Sequence, residues 1–397
     1  MQRNNFIEGG VRGDMKLHRI VRGLFLILFL GIFLAPPWAM AKRPIKIGSF
    51  LALTGPASFL GDPELKTLKM YIEEVNEKGG IDGHKVELIY YDTGGKAKEA
   101  KDIVKRLIKK DRVDVIVGGS TSGTTLAVID IVQRAKVPLI SLAGSIKIIQ
   151  PVKKWVFKTP HTDRMAAAKI FEDMKKRGIT KVALITGDGG FDKSGRAQCL
   201  DLAPKYGIEI VADEKYSNSD TDMTTQLTKI RATDAQAILN FGFGKAPAIV
   251  TKNVRQLGIK LPLYQSHGVA SKKFLQLAGK AAEGVRLPAA ALLVAEKLPD
   301  SDPQKKVLLA YKHKYEAKYG PVSTFGGHAY DGLFIALEAI DRANSLDRAK
   351  IRDEIEKTKN FIGTGGIFNM SPTDHLGLDL SAFKMLEVKN GDWTLVQ

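Results

Sequence analysis

Short apolar runs alternate along the chain with longer stretches in which apolar residues recur every third or fourth position, the marks of buried strands and amphipathic helices. Ile45–Leu51 reads as a strand. Glu64–Lys78 reads as a helix with Leu65, Leu68, Ile72 and Val75 on one face, stopped by Gly79-Gly80 in the manner of a C-cap. Strand and helix patterns then follow in turn: Val86–Tyr91, Ala97–Lys110, Val113–Val117, Thr124–Arg134 and Val137–Ser141. Such alternation requires parallel strands with helices on both faces.

A second series starts near Arg164, with helices at Met165–Arg177, Arg196–Tyr206, Thr224–Arg231 and Ala246–Leu257 around strands at Val182–Thr186, Ile208–Ala212 and Ala237–Phe241. "RVDVIVGGSTSG" in the first series and "KVALITGDGGFDKSG" in the second are both a buried strand, a glycine-rich mouth and a helix start. The expected fold is therefore α/β with two similar lobes, and "FKTPHTDR" (Phe157–Arg164) is the expected crossing between them. A helix-rich stretch over Pro303–Leu346 and a tail of turns and short strands from Phe361 complete the pattern.

Residues 1–41 read as a leader. From Met15, Lys16, Arg19 and Arg22 precede an apolar run from Leu24 to Ala35, and Ala39-Met40-Ala41 places cleavage before Lys42. The chain is expected to be exported to the periplasm. Its one cysteine, Cys199, can form neither an intrachain disulfide nor a zinc site, so folding rests on burial. The remaining length exceeds what one core usually supports. A net charge of +17 would suggest nucleic acid inside a cell, but an exported chain with scattered lysines and no interleaved aromatics fits a solvated surface or attraction of anionic solutes better.

Spacings that carry catalysis or cofactors are missing. G-x-S-x-G and the P-loop do not occur, and G-x-G-x-x-G fails at Gly187 and Gly242, where Asp192 and Pro247 hold the last position. The histidines stand without metal-ligand spacing. Neither an enzyme, a cofactor nor a metal is expected. What stands out is the pair of small-residue loops that follow two successive strands. Ser122-Gly123 lies where a helix presents unsatisfied N–H groups, and Ala143, Gly144 and Ser145 occupy the next strand's mouth. Ligands of open α/β sheets sit beyond such strand ends, and free amides favour an anion. Ordinary capping by Ser and Thr explains the same residues equally well.

"KIGSFLALTGPASFLGDPELKTLKMYIEEVNEKGGIDGHKVELIYYD" resembles the opening of the type I periplasmic binding proteins for leucine, isoleucine and valine. The pattern is carried by Ile47-Gly48, Thr54-Gly55-Pro56, Asn76–Ile81, Gly83 and Tyr91-Asp92, and the likeness continues through "VPLISLAGS", "PLYQSHGVASKKFLQLAGKAAEGV" and "GHAYDGL". It implies two Rossmann-like lobes, each a mostly parallel sheet flanked by helices, joined by three crossing strands. The implied division is 42–160 and 287–364 in the first lobe, with 161–286 and 365–397 in the second. The family's carboxylate-binding loops fall on Ser122 and on Ala143 to Ser145. Where relatives offer a tyrosine in the opposite lobe this chain has Phe191, and the acidic residue that receives a ligand's ammonium aligns with His267. A neutral imidazole gives no negative charge to pair with an ammonium. Both departures suit an aromatic or other organic acid rather than the family's default branched-chain amino acid, with Leu60, Phe243 and Phe325 as apolar walls.

The resemblance implies a monomeric solute receptor that delivers its ligand to the membrane permease of an ABC importer. The same fold also serves in ligand sensing for a kinase or chemoreceptor.

Overall fold

The computed structural model describes residues 42–396; the expected leader lies outside them. Five strands form the first sheet: β1 (Ile45–Leu51), β2 (Val86–Asp92), β3 (Val115–Gly118), β4 (Leu139–Ser141) and β5 (Val156–Lys158). All pair in parallel, in the order β2-β1-β3-β4-β5. Helices α1 (Ser58–Glu77), α2 (Ala97–Arg106) and α3 (Ser122–Ala135) connect them. With helices on both faces, β3 and β4 are buried along their whole length, which is why they read as unbroken apolar runs.

The chain crosses at Thr159–Thr162 into α4 (Asp163–Lys176) and builds a second lobe from β6 (Lys181–Thr186), α5 (Gly190–Leu202), β7 (Glu209–Lys215), α6 (Thr224–Arg231), β8 (Ala237–Phe241), α7 (Ala246–Gln256), β9 (Leu263–Gln265), α8 (Lys272–Ala278) and β10 (Arg286–Ala290). It returns to the first lobe for α9 (Lys305–Tyr319), α10 (Thr324–Ala343), α11 (Arg348–Glu356) and the small hairpin β11 (Phe361–Ile362) and β12 (Ile367–Phe368). Two antiparallel strands, β13 (Phe383–Lys389) and β14 (Asp392–Leu395), finish the second sheet, whose order is β14-β13-β10-β9-β8-β6-β7.

Two crossings fall later than the expected division places them. β10 still pairs with β9 and β13, so the second lobe extends past residue 286. Phe368, Met370, Leu376 and Leu378 pack in the first-lobe core, and Lys158 N–H donates to the His375 carbonyl alongside β5. The chain rejoins the second lobe only at Phe383, because a tail of short turns carries no periodicity from which to read its lobe.

Two helices start earlier than their apolar spacing suggests. α1 opens at Ser58, ahead of Pro63, and its first turn buries Leu60. α5 opens at Gly190, not Arg196, so only Gly187–Gly189 of the stretch read as a glycine-rich mouth is loop and the rest is already helix. Gly195 lies inside that helix and lets it rest on the sheet: a Cβ there would stand 2.0 Å from Phe241 Cε1. Glycine costs a helix interior about 1 kcal/mol relative to alanine, but overpacking a core costs about 1–3 kcal/mol. Gly195→Ala is therefore expected to lower the melting temperature despite alanine's better helix propensity, as read by calorimetry; a raised melting temperature would contradict this packing.

Candidate functional site

Each sheet has one point where the strand order reverses, between β1 and β3 in the first and between β6 and β8 in the second. Loops leaving the carboxyl ends of strands diverge at such points and open a crevice. Here the two crevices face one another around a cavity of about 250 Å³. The first lobe contributes Pro56, Ala57 and Leu60 after β1, Ser120 to Gly123 after β3, and Leu142 and Gly144 after β4. The second contributes Gly189, Gly190 and Phe191 after β6, Phe243 after β8, and His267 and Gly268 after β9. Phe325 and His328, from the start of α10, close the remaining side with Pro160 of the first crossing.

One end of the cavity is made of helix beginnings. Thr121 caps α3, its Oγ1 accepting from Thr124 N–H at 3.2 Å. The amides of Ser122 and Gly123 precede any helical carbonyl that could take them. Opposite stands the first turn of α5, so near that a Cβ on Gly190 would lie 3.1 Å from Gly123 N. Each helix start carries about half a positive charge. Two brought this close repel unless negative charge lies beside them. Asp192, in the first turn of α5, supplies part of it: burial pushes its carboxyl up to about 6, which leaves it mostly ionised at neutral pH, and Gly189 N–H and Asn218 Nδ2 donate to it.

Of the residues singled out from sequence, Ser122, Gly144, Phe191, His267, Leu60, Phe243 and Phe325 line this cavity. Ala143 and Ser145 are buried just behind it. Ala143 N–H is taken by Ser141 Oγ. Ser145 donates its N–H to Ser122 Oγ at 3.1 Å, and its hydroxyl meets Ser194 Oγ of α5 at 2.7 Å. Ser145 thus ties lobe to lobe and orients Ser122; both of its polar groups are committed.

The far wall is apolar. Ala52, Ala57, Leu60 and Phe325 cluster with Phe59 and Phe243, and the Phe59 ring stands 5.6 Å from Phe325 and 6.4 Å from Phe243. Phe191 meets His267 edge-on at 5.2 Å. Both press on Gly144 from the other lobe: a Cβ at Gly144 would lie 2.8 Å from Phe191 Cε2 and 3.1 Å from His267 Nε2.

Among the described residues, none that lines the cavity is acidic or cationic. Burial, with His161 and Lys158 nearby, holds the His267 imidazole well below its usual range, and burial with His161 and His267 does the same to His328. Both rings are neutral at physiological pH. The acid nearest the first-lobe side is Glu64, behind Ser120, whose hydroxyl donates to it at 2.5 Å. Burial raises its pKa well above the usual carboxylate range, with the Ser120 hydroxyl working against it. The lining offers hydroxyls and amides at the helix starts, and imidazoles set among the aromatic rings, with no formal charge. His328 escaped sequence reading, although it follows Phe325 by three residues and so shares its helical face.

A family model described as "Periplasmic binding protein" matches residues 44–392. A leucine-, isoleucine-, valine-, threonine- and alanine-binding protein of Pseudomonas aeruginosa is 23% identical over 389 residues, covering 97% of this chain and 96% of that one. Among solved structures, an extracellular ligand-binding receptor from Rhodopseudomonas palustris HaA2 superposes with a TM-score of 0.83 at 31% identity, over 89% of this chain and 99% of the other. A branched-chain amino acid transporter substrate binding protein from Streptococcus pneumoniae, in complex with isoleucine, gives 0.77 at 26% identity, over 89% and 99%. Two facing α/β lobes, a cavity at both reversal points and a match over nearly all the described residues lead to one conclusion: this chain belongs to the periplasmic binding protein family.

Proposed function

We propose that this protein is the periplasmic solute receptor of an ABC importer and that its ligand is a small carboxylate without an α-ammonium group, aromatic or otherwise apolar beyond the acid. The observation that carries this reading is the pairing of two helix starts with a wall that holds no acid. An ammonium placed here would be buried without a counter-charge, at several kcal/mol. A carboxylate would meet the positive ends of α3 and α5, each contributing up to about 2 kcal/mol when partly buried, together with the Ser122 hydroxyl. The aromatic end accepts a ring or branched chain, as ligand pockets commonly do with a few placed polar groups. Relatives named for leucine, isoleucine and valine make those amino acids the competing ligands.

Closure follows from the same contacts. The Ser145–Ser194 bond, the approach of Gly190 to Gly123 and the seating of Gly144 against Phe191 all join opposite lobes. A ligand that touches both faces shifts the population toward this closed form, the shape a permease would read.

In a thermal-shift screen, 3-phenylpropanoate or benzoate is expected to stabilise the protein, by about 2.7 kcal/mol at 100 times the dissociation constant, while leucine has little effect; strong stabilisation by leucine alone would contradict the reading. Ser122→Ala should weaken the bound acid by about 1–3 kcal/mol, since it also leaves the Ser145 amide unpaired; isothermal titration checks this. Gly144→Ala should cost at least about tenfold in affinity while leaving the unliganded melting temperature nearly unchanged, because its new methyl clashes only across the cleft.

A further inference from the structure

We infer that Lys158, which does not touch the ligand space, is the buried counter-charge for the ligand's anionic end, and that it takes a proton from bulk solvent as an anion enters. The inference rests on the carboxylate reading above.

Lys158 ends β5, where the first crossing begins, and is fully buried. Its Nζ donates to the carbonyls of Pro160 at 2.7 Å and His161 at 3.3 Å. Pro160 lines the cavity, so a single residue separates the amine from the ligand space. Carbonyl dipoles solvate an ammonium in part, but a buried cation normally needs an anionic partner. None of the side chains around it supplies one in full. Asp163, at the start of α4, is the one acid whose charge acts on the amine; its Oδ1 also accepts from the amides of Ile146 and Arg164, and burial raises its carboxyl while Lys158 lowers it, so it offsets the amine's charge only in part. His161 stacks on Phe383 and is held neutral by burial and by Lys158 itself. His267 and His328 are neutral as well. Asp331, one turn beyond His328 on α10, is taken by the amides of Thr364 and Gly365, and burial pushes it up to about 7. His375 offers only its backbone carbonyl, to the Lys158 N–H.

Burial pulls the Lys158 amine down to about 7, with Asp163 working against it. Without ligand, the amine is thus partly neutral at pH 7–8. An anion nearby favours the charged form, raises the pKa and draws in a proton. Affinity for an anion is then full where the amine is already charged, below about pH 6, and falls as pH climbs through and above 7. The neutral histidines take no part in this window, because their shifts place them well below it.

The test is calorimetric titration of the purified protein with 3-phenylpropanoate and benzoate, each at pH 7.5 in two buffers of different ionisation enthalpy, and again across pH 6–9. The wild type is expected to take up a fraction of a proton and to lose affinity up to about tenfold toward pH 9. Lys158→Met should bind the acid at least about tenfold more weakly with no uptake, yet bind neutral 3-phenylpropanamide as the wild type does. Lys158→Arg, permanently charged, should bind with no uptake and no pH dependence. Acid binding by the wild type without uptake overturns the inference and leaves the carboxylate reading standing. So does uptake that survives in Lys158→Met, which would assign the proton to Asp163, Asp331 or Asp192. If the methionine variant fails to fold, the wild-type buffer pair still decides. Leucine bound while both acids are refused overturns the reading beneath, and this inference with it.

Discussion

Two helix starts held against each other are the constraint on which the molecule's arrangement turns. Parallel strands deliver every connecting helix with its amino end at the sheet's carboxyl edge, and the lobes are set edge to edge, so α3 and α5 meet with like partial charges. Sequence places glycine at that meeting, Gly123 on one side and Gly190 on the other, which lets the backbones approach without side chains between them. In the proposed reading, the fold thereby draws a site for negative charge largely from backbone, with hydroxyls trimming it.

What the chain leaves out matters as much. A pocket with this frame and one carboxylate would hold a zwitterion. His267, which the resemblance sets at that place, has its ring kept neutral by burial, and Glu64 and Asp192 do not line the wall and are raised by the same cause. Low dielectric thus acts twice, raising the acids behind the wall and strengthening the amide dipoles that, in the proposed reading, face the ligand's anionic end. The aromatic set of Phe59, Phe243 and Phe325 supplies size and shape at the other end.

Much of this was legible in the sequence, for identifiable reasons. Doubly covered strands such as β3 and β4 declare themselves as apolar runs, and the amide-bearing loops follow from where those strands stop. Ser122 and Gly144 could be picked out because their small-residue loops follow such stops, whereas Phe191 and His267 were singled out through the resemblance to the binding-protein family. The start of α5 was not legible, since Gly190 and Gly195 argue against helix locally and only Phe241, distant in sequence, explains why glycine is needed. Ser145 shows the converse: its loop was found, but its commitment to Ser194 depends on how two lobes meet. Lys158 and His328 gain their significance from burial alone, which no spacing announces.

The most direct test is a crystal structure with 3-phenylpropanoate bound. The carboxylate should lie within hydrogen-bond distance of Ser122 Oγ and the first-turn amides of α3 and α5, with the ring against Leu60, Phe243 and Phe325. A carboxylate found at the aromatic end, or an amino acid whose ammonium reaches Glu64 instead, would contradict the account.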